Sequence, residues 1–520
     1  AMPEDDTLRA DLADLLVATG QRDRARAMLD RELSRNPAEL SGLFRLRSLL
    51  AGVEDLDPWR LDGRAVLRDF DASGRRYDAA AVLVLDYTVR RNLPDGSALE
   101  LTHNLVRVQS REGVEAYGEF SLPANATLLA IRTLKPDGRA LEPEEIAGKD
   151  TLSLPDLAPG DTVEFEYVRT LSATEVAPGG FLTDRFYFRG FDVPYDRTEY
   201  VLVSPRAMAP LVDARGPAPT ATVTERGGLV EHRWLLRHSE RMTPEPSSVA
   251  TREFVPSVAA GHGATWGRFV DALRARLLDL DVPDPEALTL VRELTARART
   301  ADARLAALHG WVIANIQQEG GGTPFESAPR MLAARAGHRT RVLCYLAKLA
   351  DIPCDIALVR QGSSDATPSD LADDDTFQSI LLRVRTESGE RWVTAADNNA
   401  PLDFIPPASA GGEALVLAEG APRSRVPALN LDAHGRVLTV RLALEPDGSG
   451  RAEVEERLRG FAATGARQVL RRLDAANLER QFEGYVGGMV AGASLVSVRV
   501  EGATRVEDDV VFRYVFTAPG

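Results

Sequence analysis

The chain has 520 residues, 44% hydrophobic and 27% charged, a composition of ordinary globular protein in about three to four domains. A formal net charge of −15 repels phosphate backbones and argues against a nucleic-acid partner. Two cysteines, Cys344 and Cys354, are too few for a disulfide framework or a Cys-rich zinc site, and no apolar run approaches the ~20 residues of a membrane helix.

The N-terminal Ala1–Asp6 is acidic and lacks the apolar core of a signal peptide. Residues 7–52 predict helices: Leu8, Leu12, Leu15 and Leu16 fall at helical spacing, Gly20 interrupts, and Ala25 to Leu33 resume until Asn36-Pro37. A third helix is expected from Ala38, with Leu40, Leu43 and Leu46. This order matches one tetratricopeptide repeat of ~34 residues, assigned to residues 1–58.

Residues 59–245 alternate polar and apolar positions, as in Val163, Phe165 and Tyr167. Turns at Pro94-Asp95-Gly96 and Pro136-Asp137-Gly138 separate alternating runs, which predicts hairpins in an antiparallel β-sandwich. Pro, Ser and Gly over 246–262 suggest a linker. Helices follow from Trp266 to about Ala350, then strands at Cys354–Val359, Ile380–Val384 and Arg391–Thr394, the order of an α+β domain over 263–428. Residues 429–520 return to strands around a helical stretch, Gly465–Met489, with a third hairpin turn at Pro446-Asp447-Gly448. The expected fold class is multidomain α+β.

The seven histidines, His103, His232, His238, His262, His309, His338 and His434, are scattered, and none pairs at a metal-ligand spacing such as His-x-x-x-His. Asp370, Asp373, Asp374 and Asp375 form an acidic loop whose spacing fits no calcium loop, so it is read as solvated. No metal or other cofactor is expected.

Residues 266–417 resemble the bacterial transglutaminase-like superfamily. The resemblance rests on Trp311–Ile316, Ser327–Leu332, Gly337, Ile352-Pro353, Phe377-Gln378-Ser379-Ile380, Trp392-Val393-Thr394 and Pro401–Leu417. Upstream, Pro94-Asp95-Gly96, Thr133–Gly138 and Leu157–Asp161 resemble the uncharacterised β domain that commonly precedes a transglutaminase-like domain, and a β-rich domain commonly follows one. The resemblance implies a papain-like α+β fold with a Cys-His-Asp triad.

Carried over position by position, the triad is missing. The nucleophile's place falls on Arg339, two residues after Gly337, or on Ala336 when counted back from Ile352-Pro353. The histidine's place is Ser379 and the aspartate's is Thr394. Arginine stays protonated and cannot attack a carbonyl, and a serine hydroxyl cannot replace an imidazole as base. Cys344 and Cys354 sit in apolar surroundings and read as core. His309 is read as packed or solvated, and Asp397, Asn398 and Asn399 as a turn.

The sequence therefore predicts a non-catalytic adaptor or scaffold with protein partners. Resemblance alone places it in a bacterial envelope complex, in the periplasm or another extracytoplasmic compartment. One alternative is a papain-like peptidase or acyl-transferase with a relocated nucleophile, Cys344 being the candidate. The other is a receptor that takes a small ligand or peptide in the vacated cleft through Arg339, His338, Ser379 and Asp397.

Overall fold

The computed structural model describes residues 12–13, 16, 21–35, 46, 56–123, 126–145, 151–174, 177–246, 248–318, 326–362, 369–372, 376–377 and 379–520. These form two compact units. One holds residues up to 268 with 366–373, and the other 269–365 with 374–520.

In the first unit, α1 (Arg22–Arg35) buries Ala25 and Leu29, one turn apart. The helices expected on either side of it lie mostly outside the described residues. Helix α2 (Gly63–Ser73) starts where the Asp62 carboxylate accepts from the backbone N–H groups of Arg64 and Ala65, and stops at Gly74, whose φ of 65° suits a residue without a Cβ. Next come α3 (Arg111–Tyr117) and the strands of one large sheet: β1 (Ala81–Asn92), β2 (Ala98–Val108), β3 (Ala126–Leu134), β4 (Ala140–Leu141), β5 (Thr162–Leu171) and β6 (Tyr195–Pro205). After β7 (Leu211–Arg215), the sheet is completed by β8 (Thr222–Arg226) and β9 (Leu229–Ser239), in the order β8-β9-β6-β1-β2-β5-β3-β4. The Pro-Asp-Gly turns connect β1 to β2 and β3 to β4, as their sequence requires.

The sheet is mixed rather than purely antiparallel. β1 and β6 pair in parallel, Leu83 with Tyr195 through Arg91 with Val203. A parallel pair needs a long crossover, and β2 to β5 lie within that connection. Alternation along β6 sends Val201 and Val203 to one core with Phe70, Tyr87 and Leu101, and Tyr200 and Leu202 to another with Phe181, Phe188 and Trp234.

The segment expected to be a linker, 246–262, carries α4 (Thr251–Phe254) and a buried strand, β10 (Ser257–His262), paired with β7. Its small residues admit close neighbours: a Cβ on Gly261 would lie 2.6 Å from the Leu371 side chain. Smallness here is a packing requirement, not a sign of flexibility.

Most of the second unit's first half is helical: α5 (Trp266–Leu280), α6 (Pro285–Thr295), α7 (Ala301–Asn315), α8 (Ala328–Ala334) and α9 (Arg339–Leu349). Asp284 caps α6 and Thr300 caps α7. Helix α9 is the centre: every residue from Arg339 to Ala347 is buried. Five strands follow, β11 (Cys354–Val359), β12 (Ser379–Thr386), β13 (Gly389–Val393), β14 (Glu413–Val416) and β15 (Arg423–Arg425), in the order β13-β12-β11-β14-β15. The chain ends in a four-stranded antiparallel sheet, β16-β17-β19-β18, made of β16 (Gly435–Leu444), β17 (Gly450–Arg459), β18 (Ser494–Glu501) and β19 (Val510–Ala518). Helices α10 (Phe461–Leu470) and α11 (Ala475–Met489) give it a core with Val454, Phe512 and Tyr514. No helix among the described residues is long and apolar enough to cross a membrane.

Candidate functional site

The approach to α9 is tightly specified. Gly337 has φ of 130°, and a Cβ there would lie 2.7 Å from Met331 Cγ. His338 is the N-cap, its Nδ1 accepting from the Arg341 backbone N–H at 3.4 Å. That bond makes Nδ1 the unprotonated nitrogen. The half-buried His338 imidazole is held below its ordinary pKa by burial, and nearby Arg341 lowers it further.

Arg339 opens the helix and points inward, 9% exposed. Its backbone N–H donates to Gln318 Oε1 at 3.1 Å, its Nε to the Ile316 carbonyl at 2.6 Å, and its Nη1 to the Ala396 carbonyl at 3.4 Å. Burial lowers its basicity, Asp397 opposes that shift and Arg471 adds to it. The guanidinium thus ties the start of α9 to the loop that follows β13.

The next residue was not singled out from sequence. Thr340 is fully buried, and its Oγ1 lies 3.0 Å from Thr394 Oγ1. The Ala395 N–H donates to Thr340 Oγ1 at 3.1 Å, and the Ala396 N–H to Thr394 Oγ1 at 3.2 Å. His309 also joins: it is 4% exposed and hydrogen-bonds the Thr394 backbone, while its Nε2 has no hydrogen-bond partner. Burial holds this imidazole below its ordinary pKa, so it is neutral at pH 7. A helical period that places His309 inward would have pointed to it.

The other expected positions fall nearby or apart. Asp397 is half-buried, and its Oδ1 accepts from the Asn399 backbone N–H at 2.8 Å and side-chain Nδ2 at 2.9 Å, the turn geometry expected for Asp397-Asn398-Asn399. Arg467 of α10 and Arg471 just after it donate to the Asn399 and Asn398 carbonyls at 3.4 and 3.1 Å. Ala336 pairs with Gln317, ahead of the helix. Ser379 starts β12 opposite Val359, three residues from Leu382, which pairs with Val393. So Arg339, His338, Thr394 and Asp397 converge around one helix start, whereas Ser379 lies at the head of β12, paired with Val359.

Cys344 and Cys354 lie in the core, 0% and 5% exposed, with their sulfurs 3.1 Å apart and both thiols free. Burial and the adjoining sulfur push the Cys354 thiol well above its usual pKa. Among the described residues no cluster of His, Cys, Asp or Glu could hold a metal ion, and Asp373, Asp374 and Asp375 lie outside them. A cavity of about 450 Å³ occurs elsewhere in this unit, lined by Pro401, Phe404, Pro427, His434 and Arg467 among others.

The architecture is that of a multidomain α+β protein. Residues 94–243 match a domain of unknown function with solved structures, DUF3857. Comparison with curated proteins gives no significant match. The crystal structure of a candidate protease from Parabacteroides distasonis is similar at TM-score 0.55 and 12% identity, over 85% of this chain and 94% of its own. A candidate cysteine protease from Cytophaga hutchinsonii matches at 10% identity over 48% of this chain and 88% of its own, with TM-score 0.22. An M1 zinc metallopeptidase from Deinococcus radiodurans matches at 14% identity over 35% and 41%, with TM-score 0.21. Scores as low as the last two carry no argument. The likeness to the Parabacteroides structure is one of fold alone.

Proposed function

We propose that this chain is a non-catalytic transglutaminase-like protein that acts as a protein-binding adaptor or scaffold in a bacterial envelope complex. The observation that carries the reading is the start of α9. Where a nucleophile should sit at a helix N-terminus, Arg339 and Thr340 are buried and committed to hydrogen bonds that close the β13 loop onto the helix. A nucleophile needs a free lone pair, a neighbouring base and access to substrate. Thr340 has no access, the His309 imidazole is held on the Thr394 backbone, and the His338 imidazole caps the helix. The envelope location rests on the resemblance to exported relatives.

The test is cross-linked affinity capture from the native cells, read by mass spectrometry, with wild type and Arg339→Ala side by side. A discrete stoichiometric partner set retained by the variant supports an adaptor working through other surfaces. Partners lost only in the variant move the interaction into the cleft and favour the receptor reading. Absence of any protein partner overturns the adaptor reading. The peptidase reading draws on the fold likeness to a candidate protease, and it requires Cys344 to become reachable by substrate.

A further inference from the structure

One face of the large sheet in the first unit changes character partway across. Tyr200, Leu202 and Trp234 pack there with Phe181 and Phe188 in one apolar core, and Val106, Ile131 and Val163 pack with Leu154 in another. Between these cores, register sets Thr198, Asp86, Asn104 and Phe165 in one row across the strands, and Tyr200, Thr88, Thr102 and Tyr167 in the next. Asp86, Thr88, Thr102, Asn104, Phe165 and Tyr167 are only half-buried, so the chain does not fully cover this polar stretch. The Phe165 and Tyr167 rings lie nearly parallel, 9° apart in plane with centroids separated by 6.4 Å, and the Phe120 ring is 4.9 Å from that of Phe165.

Asp86 is the unusual member of this group. Solvent reaches part of the residue, yet its carboxyl lies deep among protein atoms, the combination expected at the floor of a recess. It bonds to the Asn104 side chain, and among the described residues no cation pairs with it. The charges one row further on are already committed: Arg169 pairs with Glu100, and Arg90 Nη2 donates to the Leu182 carbonyl at 2.8 Å. The Tyr195 hydroxyl is held above its ordinary pKa, first by burial and then by Asp86, so it stays neutral, and Tyr117 and Asp192 beside it bring no positive charge. The Thr198 hydroxyl, buried in the same row as Asp86, has no hydrogen-bond partner among the described residues. A deep carboxyl without a counter-charge costs stability, and in a solvent-reached recess it marks a functional site.

We infer that this recess binds an organic cation, a primary ammonium on a short hydrocarbon stem, with the ammonium paired to Asp86 and the stem laid across Asn104 and Thr102 toward the rings of Phe165 and Tyr167. The ammonium supplies the counter-charge that Asp86 lacks, and the Thr88 and Thr102 hydroxyls offer oxygens to its remaining protons. Two strand spacings, about 10 Å, separate the backbone at Asp86 from that at Phe165, so the stem is of lysine length. Aromatic rings suit methylenes along their faces and a cation close by. An anionic ligand would meet Asp86 as a like charge, and no uncommitted cation in these rows would receive it.

The recess belongs to the first unit and the inference uses nothing at α9, so failure of either reading leaves the other standing. The test is isothermal titration calorimetry of the full chain with 1,5-diaminopentane and with the peptide Gly-Lys-Gly, at pH 8 and pH 6, on wild type, Asp86→Asn and Tyr167→Leu. The expected result is binding of 1,5-diaminopentane at pH 8, weakened at least tenfold by Asp86→Asn and severalfold by Tyr167→Leu. With its pKa raised to about 7, Asp86 is only about one-tenth ionised at pH 6, so wild-type binding should weaken about tenfold there and release a proton. That pH effect should vanish in Asp86→Asn, and if this variant fails to fold, the two pH values on wild type decide. Binding of Gly-Lys-Gly as well would identify a lysine side chain as the form the ligand takes, and binding of the diamine alone a free amine. No binding of either probe at millimolar concentration, binding indifferent to Asp86→Asn, or equal affinity at pH 6 and pH 8 would each overturn the proposal.

Discussion

Thr340 Oγ1 and Thr394 Oγ1 stand 3.0 Å apart in a fully enclosed site, joining the first turn of the central helix to the end of a strand 54 residues later. Each hydroxyl also satisfies one backbone N–H, of Ala395 and Ala396 respectively. The pair therefore fastens the start of α9 to the loop after β13, with oxygen atoms enclosed by protein.

Replacing either threonine by valine keeps the volume and removes the acceptor. Thr340→Val leaves the buried Ala395 N–H without a partner and should cost about 1–3 kcal/mol in urea unfolding of the second unit. Thr394→Val frees the N–H of Ala396, an exposed residue that water can reach, and should cost less. The double variant should cost less than the sum, because the shared bond is lost only once. Additive losses would mean that the two hydroxyls act independently.

Gly337→Ala should be worse. The positive φ costs roughly 1–3 kcal/mol for a residue with a side chain, and the contact with Met331 adds roughly 1–3 kcal/mol of overpacking. Combining it with Met331→Ala removes the contact but not the backbone strain. A double variant no more stable than Met331→Ala alone minus the strain supports this division, and full rescue to that level without strain contradicts it.

A pH dependence is expected in the first unit. Asp86 on β1 has its pKa raised from 3.8 to about 7, mainly by burial, with the Asn104 side chain opposing. Part of the residue reaches solvent, yet its carboxyl lies deep among protein atoms, and its depth governs the direction. Between pH 4 and 7 the folded state keeps a proton that the unfolded state has released. Stability contributed by this group is therefore highest below pH 4, falls as pH rises to about 7, and is flat above, a change of at most roughly 4 kcal/mol. Asp86→Asn should remove that slope and raise stability at pH 8, measured by urea unfolding across pH. An unchanged slope in the variant would assign it to other groups.

What the sequence made legible was local. Alternation and Pro-Asp-Gly turns placed the hairpins of β1 with β2 and β16 with β17, because both signals lie within a few residues of their effect. The parallel pairing of β1 with β6 was not legible, since it joins strands about a hundred residues apart and leaves no local mark. The strand Ser257–His262 was missed because its alanines and glycine carry little apolar signal, although close packing is what requires them. At the start of α9, counting from Gly337 singled out Arg339, whereas the helix turns its neighbour Thr340 inward against Thr394. A count along the chain cannot reveal that rotation.

The most direct test of a site without a working nucleophile is labelling of the native protein by an electrophilic thiol probe, followed by peptide mass spectrometry. Cys344 is fully buried against Cys354, so neither should label in native buffer and both should label fully in denaturant. Stoichiometric native labelling of Cys344, abolished by Cys344→Ala, would contradict the account and restore the peptidase or acyl-transferase reading.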